Sequence, residues 1–381
     1  MYSEFPRSEY EQRYEKAQQL MKSDGIDVLL ITEGKNYYYF TGHDVVGRSW
    51  RSYSRASVVL LPREGEPIML VHEFVSSDAK RETWIEDVRS YTSLRSMPVA
   101  QIRKALEELG GRIVGAEFGF EQRMDLPHND VQELLRSVKA EFCDASALLW
   151  SLRMVKSRNE VDRVRQACRI TAEAYADCFR GITAGMSEQE ISQLLKKSAI
   201  ERGADGIAFS FITSGDGNYD RISGKPTQRK VESGDMVWMD TAVYYGHYAS
   251  DFSRAGVVGG ASKKQKKMQR SVSEATLRTA EAIRPGLTAK DVVEICRKEM
   301  SREGLASSFK AGRLGHGIGM SSTEPPHITE YDETILRPGM TIAIEPGVVE
   351  QCGVFHVEEN ILVTEEGTEV LSESPRELRS L

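Results

Sequence analysis

The chain has 381 residues, of which 40% are hydrophobic and 28% charged, and its net charge of −7 excludes a general nucleic-acid footprint. Its length exceeds one ordinary core and predicts two domains, and with no run of about 20 apolar residues it predicts no membrane span. Five widely spaced cysteines without a Cys-x-x-Cys pair, and a charged start lacking an apolar signal core, predict reduced thiols and a cytoplasmic protein.

Residues 8–24 predict a helix with Tyr14, Ala17, Leu20 and Met21 on one face. "DVLLIT" (27–32), "ASVVLLP" (56–62), "PIMLVH" (67–72) and "RIVGAE" (112–117) predict strands. The apolar stretches at 100–109 and 130–138 alternate with them, so an α/β domain closes near residue 150. From Ser157 the pattern turns helical. "SEQEISQLLKKSAIERG" (187–203) opens on a Ser-x-x-Glu capping box and stops at Gly203. "TAKDVVEICRKEMSREG" (288–304) opens on Thr-x-x-Asp and stops at Gly304, and the two pieces align. The basic run "KKQKK" (263–267) predicts a solvated helix start.

After each helix comes a strand that runs glycine, five residues, carboxylate: "GDMVWMD" (234–240) and "GMTIAIE" (339–345). Each is followed by a second strand with another acid. These are Asp251 in "HYASDFSR" and Glu358 or Glu359 in "FHVEENILVT". The second half of the chain therefore reads as a duplication in which each copy brings two carboxylates. Asp240 and Glu345 end apolar runs, and a buried unpaired carboxylate costs several kcal/mol, so the acids need protons or cations. Two divalent ions balance four acids. An oxygen-rich set with one imidazole, His316 of "GHGIG", suits Mn²⁺, Fe²⁺, Co²⁺ or Zn²⁺.

Asp240-x10-Asp251, His316 in "GHGIG", Glu345 in "IEPG" and Glu358 in "VEENILVT" resemble the metal-binding pattern of the methionine aminopeptidase, Xaa-Pro aminopeptidase and prolidase superfamily. "NYYYFTGHD" (36–44) and "MVKSRNEVDRVRQA" (154–167) resemble its creatinase/prolidase-type two-domain members. The resemblance implies a creatinase/prolidase-type N-terminal α/β domain over 1–152 and a C-terminal pita-bread domain with an internal pseudo-twofold repeat over 153–381. It selects Glu358 over Glu359. It implies that Asp240 chelates one ion, that Asp251 and Glu358 bridge two, and that His316 and Glu345 hold the second. Mn²⁺ is the first expectation. A hydroxide between the ions would be the nucleophile, and Glu345 would carry its proton.

The chain also departs from that pattern. Peptidases of the superfamily carry two further histidines that position the peptide and stabilise the oxyanion, and these fall near Ser223 and on Thr323 here. The arginine before the last ligand is replaced by His356. One reading is an Xaa-Pro peptidase in which His327 or His356 fills in. Another is a non-peptidase member acting on a small metabolite, like the dimethylsulfoniopropionate lyases or ectoine hydrolase. A third is a non-catalytic binding protein. The resemblance further implies a homodimer in which Trp50 or Arg51 contacts the neighbour's substrate.

Overall fold

The computed structural model describes residues 5–44, 55–94, 97–306 and 312–381. The chain divides into two compact units, Met1–Arg153 and Met154–Leu381. The N-terminal unit holds helices α1 (Arg7–Asp24), α2 (Gly34–Thr41), α3 (Glu73–Glu82), α4 (Val99–Glu108) and α5 (His128–Ser137), with α6 (Ser146–Met154) at its end. Its strands are β1 (Val28–Ile31), β2 (Val58–Pro62), β3 (Ile68–His72), β4 (Asp87–Tyr91), β5 (Ile113–Ala116) and β6 (Glu141–Asp144). They form one mixed sheet in the order β4-β3-β2-β1-β5-β6. Strands β1, β2 and β3 are buried along their whole length, which is why they read as unbroken apolar runs. Val28, Leu30, Val58 and Leu60 pack with Ile102, Leu106 and Leu134 of α4 and α5. On α1 the buried positions include Tyr14, Ala17 and Met21, while Leu20 is only half-buried.

The C-terminal unit starts with α7 (Arg158–Gly181) and α8 (Glu188–Glu201) and continues with β7 (Gly206–Ser214), β8 (Met236–Tyr245), β9 (Tyr248–Ala249) and β10 (Phe252–Val257). Then the pattern repeats. Helices α9 (Lys263–Ala282) and α10 (Ala289–Arg302) lead into β11 (Gly315–Gly317), β12 (Glu324–His327) and β13 (Thr341–Ile344). Next come β14 (Gly347–Glu350), β15 (Gly353–His356), β16 (Glu359–Val363), β17 (Thr368–Val370) and β18 (Arg379–Ser380). Both ends of α10 lie 101 positions after those of α8. Each helix has a complete capping box, Ser187 with Glu190 and Thr288 with Asp291. Gly203 and Gly304 take positive φ just past them, as a chain leaving a helix requires. Lys263, Lys264, Lys266 and Lys267 are exposed on the first turns of α9.

The two sheets repeat as well. One runs β18-β10-β8-β7, with β9 on β8, and the other runs β12-β11-β13-β16-β17. In each, a central strand lies antiparallel to the strand on either side: β8 between β7 and β10, β13 between β11 and β16. Met236 and Trp238 of β8 join Val354 and Phe355 in one apolar cluster, and Ile342, Ile344 and Ile361 join Val292 and Val293 of α10 in another.

Candidate active site

Side chains alternate along a strand, so Asp240 shares a face with Met236 and Trp238. Asp251 lies between β9 and β10, Glu345 one residue past β13, and Glu358 one residue before β16. His316 is the middle residue of β11. All five line one cavity of about 800 Å³, together with Phe209, Phe211, Asp220, Ile222, Ser223, Arg313, Ser322, Thr323 and Val349. The glycines beside His316 have a steric reason. A Cβ on Gly315 would overlap the Ala343 carbonyl of β13, and one on Gly317 would overlap the Pro325 carbonyl of β12. Only backbone without a side chain lets β11 sit this close to both neighbours.

His316 Nδ1 lies 3.0 Å from the Gly317 carbonyl, which can only accept, so Nδ1 carries the proton. Burial, with help from Arg313, pushes the imidazole down to about 3, so it is neutral. Its Nε2 lone pair then faces Glu345 Oε1 at 3.6 Å, Asp251 Oδ2 at 3.7 Å and Glu358 Oε1 at 3.9 Å. Four acceptors that face one another across such distances repel unless something positive stands among them.

The acids report the same frustration. Burial pushes Asp240 up to about 8, and Glu345 adds to the shift. Burial and the neighbouring carboxylates raise Asp251 and Glu358 well above the usual range. Burial pushes Glu345 up to about 7, against the pull of Arg313. Asp240 is half-buried as a residue, yet its Oδ1 is shut off from solvent without a hydrogen-bond partner, as is Glu358 Oε2. Orphaned buried carboxylate oxygens beside a neutral imidazole fit a divalent cation. Asp251, His316 and Glu358 converge closely enough to share an ion, and so do Glu345, His356 and Glu358.

Neighbouring groups hold these side chains in place. Asn360 accepts from the Asp251 backbone N–H at 2.8 Å through Oδ1 and donates to the Asp251 carbonyl through Nδ2, which ties β16 to the loop before β10. The buried Arg254 donates to the Glu358 carbonyl at 2.9 Å and to Glu359 Oε1 at 2.9 Å. Arg376 also donates to Glu359, so that acid is spent in ion pairs while Glu358 lines the cavity. His356 is fully buried against Trp238. Burial pushes it down to about 3. Its Nε2–H donates to the Glu345 carbonyl at 3.2 Å, and its Nδ1 accepts from Ser253 Oγ at 2.8 Å.

Ser223 and Thr323 both line the cavity. His327 pairs with His316 across β11 and β12 and turns its Nδ1 to Arg313 at 3.2 Å. Trp50 and Arg51 lie outside the described residues. Sequence reasoning passed over Arg313, Phe209 and Phe211. Arg313 had a weak signal, a cation three residues before His316 in a glycine-rich stretch. The phenylalanines had only a period of two on β7, where they stack with centroids 4.6 Å apart.

The model of metallopeptidase family M24 matches residues 162–365, and that of the creatinase/prolidase N-terminal domain matches residues 13–155. The Xaa-Pro dipeptidase of Pyrococcus horikoshii is 30% identical over 370 residues, which span 96% of this chain and 98% of that one. An uncharacterized peptidase of Bacillus subtilis is 27% identical over 369 residues, 96% of this chain and 99% of its own. Among solved structures, the Xaa-Pro dipeptidase from Bacillus anthracis superposes with a TM-score of 0.86 at 26% identity, covering 98% of this chain and 100% of that one. The prolidase from Pyrococcus horikoshii gives 0.82 at 30% identity, covering 96% and 99%.

Proposed function

The chain belongs to metallopeptidase family M24, and from that premise we propose that it is a peptidase that uses two divalent ions to release the first residue of Xaa-Pro peptides. The observation that carries this reading is the set of four carboxylates and one neutral imidazole in the wall of a cavity sized for a small peptide.

Asp240 would hold one ion, Asp251 and Glu358 both, and His316 and Glu345 the second. The oxygen-rich set suits Mn²⁺ first, with Fe²⁺, Co²⁺ and Zn²⁺ as alternatives. When bound, the ions lower the pKa of a shared water toward about 7 and polarise the peptide carbonyl. Glu345 would take the proton of the attacking water as the C–O bond forms and pass it to the leaving nitrogen as the C–N bond then breaks. His356 fixes the Glu345 backbone through its carbonyl. Ser223 and Thr323 offer hydroxyls to the peptide from the cavity wall. Trp50 and Arg51 are assigned to substrate contact across a homodimer. We assign the protein to the cytoplasm and its domain boundary to 152/153, one residue before the division between the two compact units. Among the described residues no helix is long and apolar enough to cross a membrane.

Elemental analysis of protein loaded with Mn²⁺ or Co²⁺ is expected to find about two ions per chain, and that protein is expected to cleave Xaa-Pro dipeptides or tripeptides. Absence of turnover across a broad proline-peptide panel would sink the peptidase reading. Ser223 and Thr323, where superfamily peptidases carry histidines, favour a second reading, a non-peptidase member acting on a small metabolite. The same panel separates the two.

A further inference from the structure

Glu188 is the first residue of α8 and is fully buried. Its Oε1 accepts from the Ser214 N–H at 3.0 Å and from Ser214 Oγ at 2.8 Å. Its Oε2 accepts from the Thr227 N–H at 2.9 Å and from Thr227 Oγ1 at 2.7 Å. A carboxylate has about four lone-pair sites, and these donors fill them. Arg221 Nη1 also stands 3.7 Å from Oε2. Ser214 ends β7, so one carboxylate fastens both ends of the 214–227 loop.

That loop brings Asp220, Ile222 and Ser223 to the cavity wall. Its first part has ties of its own: Thr213 Oγ1 donates to the Arg221 carbonyl at 2.7 Å, and the Met236 N–H donates to the Tyr219 hydroxyl at 2.9 Å. Past Arg221, among the described residues, the hydrogen bonds of the stretch 222–226 stay inside the loop. The Gly224 N–H donates to the Arg221 carbonyl at 3.0 Å, and the Lys225 carbonyl accepts from Arg221 Nη2 at 2.9 Å. Thr227 is the next fastening, and Ile222 and Ser223 lie between the two. The repeated frame does not need the acid. In both halves the first two helix N–H groups donate to the chain before the central strand: Glu188 and Gln189 to the Arg229 and Thr227 carbonyls, Ala289 and Lys290 to the Thr334 and Asp332 carbonyls. Ala289 opens α10 where Glu188 opens α8, so the second copy makes the same backbone contacts with a methyl group in the acid's place. The carboxylate is an addition of the first half, and what it adds is the hold on the loop.

We infer that Glu188 is a positioning residue: by closing the 214–227 loop it holds Ile222 and Ser223 where the substrate binds. The inference rests on the peptidase reading for its kinetics, and a second arm reads the loop without turnover. If the loop only supports the fold, loosening it lowers the fraction of active protein, which lowers kcat and leaves KM alone. If the loop contacts the substrate alike before and during reaction, loosening it raises KM and leaves kcat alone. Glu188→Gln keeps the size and the backbone contacts of the helix start, but an amide nitrogen cannot accept, so one end of the loop is released. The substrate is the Xaa-Pro dipeptide that metal-loaded wild-type protein cleaves fastest. Glu188→Gln is expected to raise its KM about tenfold and to change kcat less than about threefold. Thr227→Val keeps the shape and removes one donor, and it is expected to raise KM about threefold. It reads the same split should Glu188→Gln not fold. Both variants are expected to keep their metal. In trypsin digestion of metal-loaded protein followed by mass spectrometry, cleavage after Arg221 is expected to run at least about tenfold faster in Glu188→Gln than in wild type.

A fall in kcat at constant KM overturns the inference, as do unchanged kinetics or loss of bound metal in both variants. Equal trypsin rates after Arg221 in Glu188→Gln and wild type overturn it whether or not the peptide panel is cleaved. If the panel is not cleaved but Glu188→Gln is still cut faster after Arg221, the peptidase reading falls and the hold of Glu188 on the cavity loop stands.

Discussion

In the first half of the C-terminal unit, β7, β8 and β10 follow α7 and α8; in the second, β11, β13 and β16 follow α9 and α10. Where β7 brings Phe209 and Phe211 to the cavity, β11 brings His316. Asp240 on β8 is matched by Glu345 past β13, and Asp251 before β10 by Glu358 before β16. The four proposed ligand acids are therefore shared evenly, but the nitrogen-bearing groups are not: His316 and Arg313 both come from the second half. A duplicated frame supplies two matched pairs of carboxylates. If the proposed ligands hold, the differences between its two copies decide where a cation is bound most fully.

The sharpest way to break this comparison is to remove one member from each half. Asp251→Ala is expected to empty the site of both ions and to lower kcat by about 10³-fold or more, because the proposed shared ligand serves both. His316→Ala is expected to leave about one ion per chain and to cost less. Elemental analysis of the purified variants reads both outcomes. Equal metal loss in the two would mean that the halves do not divide the ions as proposed.

Metal removal tests the charge argument without any catalysis. In the metal-free protein Asp240 and Glu345 are raised to about 8 and about 7, above their ordinary values. A carboxyl raised by folding binds its proton more tightly in the folded state. Its contribution is complete below the unfolded pKa near 4 and is lost as pH climbs through the folded values. The metal-free protein is therefore expected to melt several degrees lower at pH 8 than at pH 5. Metal-loaded protein should lose that dependence, because the cation replaces the protons. Scanning calorimetry at the two pH values, with and without chelator, checks it. A metal-free protein more stable at pH 8 would show that the acids are neutralised in another way.

What could be read from the sequence followed from local rules. Capping boxes at Ser187 and Thr288 marked helix starts because their partners lie three residues on. The runs ending in Asp240 and Glu345 marked buried strands that meet a carboxylate, because a short apolar run opened by glycine is too brief for a helix. The choice of Glu358 over Glu359 came from resemblance. Its physical counterpart is long-range, since Arg254 and Arg376 claim Glu359 from 105 and 17 positions away. Arg313 was illegible for a similar reason. Its partners Thr323, His327 and Glu345 are scattered over the following 32 residues, and nothing local says that they meet. His356 looked like a possible substrate group and is instead buried with both ring nitrogens engaged, because Ser253 of β10 and the Glu345 carbonyl close around it.

The smallest expected effect bears on the frame itself. Ser187 and Thr288 cap two helices of equal length with the same pair of hydrogen bonds, side chain to N3 backbone and N3 carboxylate back to the cap. Each cap residue also makes an isolated bridge to a segment before the following central strand, Ser187 to Lys230 and Thr288 to Ile335. If the halves are equivalent in structure as well as in pattern, Ser187→Ala and Thr288→Ala should each cost about 1 kcal/mol, with no change in bound metal. The double variant should lose their sum, because the caps share no partner. Chemical denaturation of the metal-loaded protein measures all three. Unequal single costs would mean that the two copies have diverged in their scaffold, and not only in the side chains that scaffold presents to the cavity.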